Sequence, residues 1–196
     1  MSEKFQNKYR ISSSRLQNWD YASKGAYFIT ICTQNRVHYF GKIENGEMQL
    51  NHIGKIVESE WIKTSEIRPD MNLELGAFMV MPNHFHAILI IGENEYNTRR
   101  WAKRIDRDAM HRVSTTNTTN TTNTNHNKFG PQSKNLSSII RGFKSSVTKF
   151  ARNSEPDFAW QPRFHDHIIR NTIEFERIQN YIADNPKNWK EDKFNK

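Results

Sequence analysis

A single cysteine, Cys32, occurs among the 196 residues. No internal disulfide can form, and a reducing compartment such as the cytoplasm suits the chain. Long apolar runs are missing as well. The longest, Ala87 to Ile91, is far too short to cross a bilayer. The N-terminal stretch MSEKFQNKYR lacks the apolar segment that a secretion signal needs. Hydrophobic residues make up only 35%, so the core is modest and part of the chain is expected to lie outside it. Disulfide scaffolds and membrane-spanning helices are therefore excluded as readings. Cys32, within the stretch Phe28 to Thr33, reads as a small buried apolar residue.

What the chain has is positive charge. Lys and Arg number 29 against 21 Asp and Glu, giving a net charge of +8 and a pI near 9.6. Such a field attracts polyanions, nucleic acid among them. Aromatic residues account for 12% and include five Trp. These could stack on unpaired bases or equally well fill a core. Charge and aromatics permit nucleic-acid binding without deciding it.

The length suits one domain, 1–196, with an insertion. Tyr27 to Thr33 is β-branched and aromatic, as a strand requires. Phe40 to Ile43 and Met48 to Leu50 flank an Asn45-Gly46 hairpin signal. Asn51 can cap a helix from His52 to about Ile67, stopped by Pro69. Strands follow at Leu73 to Met81 and His84 to Ile91, joined by a tight Pro82-Asn83 turn. Residues 93 to 134 differ in kind: a basic stretch, Arg99 to Arg112, precedes a Thr/Asn tract from Ser114 to Asn127 with almost nothing to bury. This predicts a flexible surface insertion. A helix resumes at Asn135 or Leu136, with Ile139, Ile140, Phe143, Val147 and Phe150 on one face. A final strand is expected at Phe164 to Arg170, and a last helix capped by Thr172 and ending near Pro186. This order favours an α+β fold, an antiparallel sheet with helices packed on one face.

His84 and His86 stand two apart in a strand, so both imidazoles leave the same face while Phe85 anchors the other. Two converging imidazoles make half a metal site. An isolated His-x-His pattern also arises by chance in a chain with eight His. Tyr181 and Asn185 are four apart in the last helix and share a face. Asn185 could lend a carbonyl oxygen to a metal beside Tyr181. On spacing alone, the preferred reading is Tyr181 as one more core aromatic and Asn185 as a helix end before Pro186. His165-Asp166-His167 is a rival pair with the same spacing.

Several ordered motifs carry a family resemblance. They include Asp20-Tyr21, Gly25, the strand Tyr27 to Thr33, and Met81-Pro82-Asn83-His84-Phe85-His86. Others are Leu136 to Ser145, Trp160 to His167, and Tyr181-Ile182-Ala183-Asp184-Asn185-Pro186. Together they resemble the single-tyrosine HUH transposases, and within them the REP-associated tyrosine transposases. The resemblance runs from about Arg15 to Trp189, interrupted by the Thr/Asn tract, which departs from the pattern. It implies a ferredoxin-like (RRM-like) α/β fold with a four- or five-stranded antiparallel sheet. It also implies His84 and His86 as metal ligands and Tyr181 as nucleophile. Mobile relatives commonly place Gln four residues after the tyrosine as third ligand. Here that place is Asn185, as in the REP-associated branch.

The activity implied is transposase chemistry: cleavage and rejoining of single-stranded DNA with hairpin or palindromic elements, through a 5′-phosphotyrosine, with Mg²⁺ or Mn²⁺. Mobile relatives are dimers that can share helices, and the REP-associated branch admits monomers as well as homodimers. Arg141, Lys144, Arg163, His165 and Arg170 are candidate DNA contacts. Two other readings stay open: a non-catalytic single-stranded DNA or RNA-binding module, and a metal-dependent hydrolase that uses water in place of Tyr181.

Overall fold

The computed structural model describes residues 16, 19–98 and 133–195. The basic stretch and the Thr/Asn tract expected between 99 and 127 lie outside the described residues. Nine elements position the site. Strand β1 is Gly25–Cys32; β2, Gly41–Glu44, and β3, Glu47–Leu50, form a separate hairpin; helix α1 is His52–Glu66. Strands β4, Leu73–Met81, and β5, His84–Ile91, follow. Helix α2 is Leu136–Ala151, β6 is His165–Ile169, and helix α3 is Thr172–Asp184. The fold is α+β: four antiparallel strands in the order β4-β5-β1-β6, with helices packed against the sheet.

Local chemistry accounts for the element ends. Asn45 and Gly46 both take positive φ, 53° and 78°, as a two-residue hairpin turn demands. The Asn51 side chain accepts from Gly54 N at 2.9 Å and starts α1. Asn135 and Ser138 form a reciprocal capping box at α2. At α3 the cap is Asn171, whose side chain accepts from Glu174 N at 2.8 Å. Thr172, expected as the cap, is the first helical residue instead. The extended backbone of Asn171 (φ −153°) lets its short amide reach back over the first turn.

Alternation divides the sheet. Tyr27, Ile29 and Ile31 of β1 and Phe85, Ala87, Leu89 and Ile91 of β5 face the main core beneath α1 and α2. Trp61 of α1 is its hub, with ring centroids 5.0 Å from Phe85 and 5.2 Å from Phe143. The opposite face carries Phe28, Thr30, His84, His86 and Ile88. Helix α3 crosses that second face, seating Ile178 and Ile182 against Ile88 and Ile169. Helices α1 and α2 thus share one face, as the element order favours, while α3 covers the other. The unbroken apolar run Ala87 to Ile91 has this physical cause, because a central strand covered on both faces need not alternate.

Replacing Trp61 with Ala should cost about 3–5 kcal/mol in chemical denaturation. Trp61→Phe should cost clearly less, since the buried indole N–H has no hydrogen-bond partner among the described residues. Equal losses would show that the N–H, not the ring, matters.

Candidate active site

The two-residue turn between β4 and β5 delivers Asn83 and His84 to the end of the sheet's second face. Asn83 is fully buried. Its Nδ2 donates to the carbonyls of Arg36 (3.1 Å) and Phe194 (2.8 Å). Its Oδ1 is therefore an acceptor, and it lies 2.9 Å from His84 Nδ1. The proton of His84 must sit on Nδ1, which leaves Nε2 as a bare lone pair. One pleat further along, His86 Nδ1 is 2.9 Å from Thr30 Oγ1, its cross-strand neighbour on β1. His86 Nε2 lies 3.3 Å from the Tyr181 hydroxyl.

Both imidazoles are held neutral. Burial, then His86 and the cations Arg36 and Lys193, presses the His84 pKa down to about 2. Burial, followed by Lys193 and His165, brings that of His86 to about 3. Neutral imidazole is the form that ligates metal. Tyr181, 42% exposed, has its phenol pKa raised by partial burial and by the Asp192 carboxylate.

A third element enters from the end of the chain. After α3, a short 3-10 turn at Trp189–Glu191 folds the chain back over the histidines. Phe194 packs its ring 4.6 Å from that of His84, and Trp189 stacks on His84 at 6.0 Å. This brings Asp192 Oδ2 within 3.8 Å of His84 Nε2. Ligand atoms of His84, His86 and Asp192 all lie within 4.8 Å of one another. Two buried atoms here, His84 Nε2 and Asn185 Oδ1, have no hydrogen-bond partner among the described residues. Such orphaned acceptors are costly, by about 1–3 kcal/mol each, unless a cation meets them. The nitrogen and oxygen donor set fits a divalent ion.

No protein-family model matches the chain. An uncharacterized protein of Haemophilus influenzae is 34% identical over 181 residues, 92% of this chain and 90% of that protein. Among solved structures, a REP-associated tyrosine transposase bound to a REP hairpin superimposes with a TM-score of 0.52 at 21% identity. The match covers 88% of this chain and 72% of that one. The chain belongs to the family of the Haemophilus protein and has the REP-associated tyrosine transposase fold. A Deinococcus radiodurans structure, reported as that of a transposase, aligns over 86% of this chain and 95% of its own, at 14% identity. Its TM-score is 0.39.

Within this transposase fold, His84, His86, Tyr181 and Asn185 come together at one end of the second face. His165 joins them from β6, beside Thr30. The other candidate DNA contacts lie elsewhere. Arg141 is exposed on α2, across the sheet. Lys144, also on α2, is half-buried and donates to the Gln161 carbonyl at 2.5 Å. Arg163 is exposed ahead of β6, and Arg170 at its end. His165 and His167 gather no third metal-binding side chain among the described residues. His167 pairs instead with Glu174 at 2.7 Å, and Glu174 also accepts from Arg170 N. Cys32 is buried, and no described helix is long and apolar enough to cross a membrane.

Sequence reasoning missed Asp192 and treated Asn83 as a turn residue. Asp192 sits in a charged tail without periodicity, and only the fold-back of the chain reveals it. Asn83 could have been suspected, since it adjoins a histidine that needs its tautomer fixed.

Thr30→Val and Asn83→Ala should each lower affinity for Mn²⁺ by about 10- to 100-fold in calorimetric titration, because each removes the partner that orients a ligand histidine. Unchanged affinity would break the link between these bonds and the metal. Burial lowers the Lys144 pKa from its usual value to about 8. The unfolded chain then binds more protons than the folded one between about pH 8 and 10.5, so Lys144 favours folding increasingly as pH rises through that window. Denaturation of wild type and Lys144→Met should show the gain in wild type alone.

Proposed function

We propose that this protein is a metal-dependent strand transferase acting on single-stranded DNA, with Tyr181 as nucleophile. The observation that carries the reading is the 3.3 Å approach of the Tyr181 hydroxyl to His86, at the mouth of a buried donor set. His84, His86 and Asn185 would hold the ion, with Asp192 as a further oxygen ligand. A bound Mg²⁺ or Mn²⁺ would polarise a phosphate oxygen and offset the charge that develops there.

The chain's own residues do the rest. Asn83 and Thr30 fix the imidazole orientations, and Phe194 and Trp189 keep water from the histidines. Helix α3 holds the phenol oxygen at the open side of the site, where a phosphodiester can approach. Attack by Tyr181 Oη forms an O–P bond and breaks the bond from phosphorus to the 3′-oxygen. The departing 3′-oxygen takes a proton from water to become a 3′-hydroxyl, and the phenol proton passes to solvent. Because the phosphodiester is conserved as phosphotyrosine, another 3′-hydroxyl can attack it and rejoin the DNA. The basic surface and the hairpin-bound structural neighbour support a hairpin or palindromic single strand as substrate.

With Mn²⁺ or Mg²⁺, a labelled hairpin oligonucleotide carrying a single-stranded flank should yield a covalent protein–DNA adduct on denaturing gels. Tyr181→Phe should form none while binding the DNA as wild type does. An adduct from Tyr181→Phe would sink the nucleophile assignment. Binding without any adduct from wild type favours the non-catalytic module, and cleavage to free ends by Tyr181→Phe favours a hydrolase.

A further inference from the structure

A second concavity lies on the α2 side of the sheet and shares no residue with the metal and tyrosine cluster. The C-terminal half of α2 and the loop at 159–162 line a groove of about 540 Å³. The loop is pinned in place. Trp160 bridges to Thr33, Gln161 N donates to the Cys32 carbonyl at 2.9 Å, and Trp160 Nε1 donates to the Lys144 carbonyl at 3.2 Å. Lys144, Thr148 and Arg152 follow one another at four-residue spacing, so they line the groove from one helix face. Lys149 adds a further cation, and no carboxylate lines the groove among the described residues.

The cations differ in depth. Lys149 and Arg152 are exposed, and Arg152 uses its Nε on the Phe158 carbonyl. Lys144 sits deeper, half-buried, with its amine on the Gln161 carbonyl. Burial lowers its pKa to about 8, with Cys32 opposing. Cys32 of β1 is itself kept as the thiol by burial, Lys149 and Arg152 share the groove, and the 159–162 loop brings no titratable group. A half-buried amine beside exposed cations is the arrangement of an activated lysine nucleophile. Part of the amine is neutral and able to attack, and the cations collect an anionic electrophile.

We propose that Lys144 is a site of covalent acylation, and that the groove selects small acyl phosphates as donors. Lys144 Nζ attacks the acyl carbon, forming a C–N bond while the C–O bond to phosphate breaks. The phosphate leaves with the bonding pair, its charge met by Lys149 and Arg152, and the nitrogen sheds one proton to water. A phosphorylated aldehyde would gain less, since imine formation expels water and develops no anion for the cations to hold. The product is an amide on α2, one positive charge poorer, whose N–H can still serve the Gln161 carbonyl. Neither a metal nor Tyr181 takes part, so the site is independent of the strand-transferase reading.

Acetyl phosphate and the uncharged donor N-acetoxysuccinimide, each given to the full chain at about pH 8, test this by quantitative peptide mass spectrometry. Acetyl phosphate should modify Lys144 about ten-fold faster than the exposed Lys55 of α1, through its neutral fraction and the held donor. That ratio should fall with the uncharged donor. Inorganic phosphate should slow Lys144 and leave Lys55 unchanged. Lys149→Gln should lower the ratio for acetyl phosphate alone, with an unchanged thermal midpoint. The rate at Lys144 should level off above about pH 8. A ratio near one overturns the site, and so does the same ratio from both donors or a lack of protection by phosphate.

Discussion

The hydrogen bond between His84 Nδ1 and Asn83 Oδ1 governs the rest of the site. Asn83 has no freedom to turn its amide over, since its Nδ2 is committed to two backbone carbonyls. The direction of the His84 lone pair is thereby set by main-chain atoms far away in sequence. Burial then denies the ring a proton, and Nε2 is left without a hydrogen-bond partner among the described residues. A buried acceptor kept bare in this way is a standing cost to the fold. That cost makes sense if something positively charged is meant to arrive.

The sheet keeps that cost away from its stability. Strands β1 and β5 send alternate residues to opposite faces. Phe85, between the two histidines, lies against Trp61 and Phe143 in the main core. The large apolar cluster under α1 and α2 needs nothing from the histidine face. Helix α3 adds a smaller cluster, Ile178 and Ile182 on Ile88 and Ile169, enough to seat Tyr181 without enclosing it. Where α3 starts, Glu174 joins His167 and the Arg170 amide, so the helix is fastened to the edge strand two turns before the tyrosine.

Much of this was legible in the sequence because it rests on local periodicity. The pleat put His84 and His86 on one face, and the helical repeat put Tyr181 beside Asn185. The hairpin at Asn45-Gly46 and the cap at Asn51 follow from side-chain chemistry within a few residues. The side of the sheet that α3 would choose was not legible, since Ala87 to Ile91 is apolar toward both faces. Nor was Asp192, which reaches the site only because Trp189 and Phe194 find aromatic and imidazole partners there. Lys144 looked like a phosphate contact by charge, yet its ammonium reaches the Gln161 carbonyl, a contact that needs the loop in three dimensions.

The fold-back of the chain end gives the site a second character. Asn83 and Phe194, joined by one hydrogen bond, stand 111 residues apart. The cluster gathers β5 from the first half of the chain with α3 and the final turn from its close. Anything that bridges His84, His86, Asn185 and Asp192 would act as a clasp on a loop of that size. It would hold the last element to the central strands and make folding itself sensitive to its supply, by mass action.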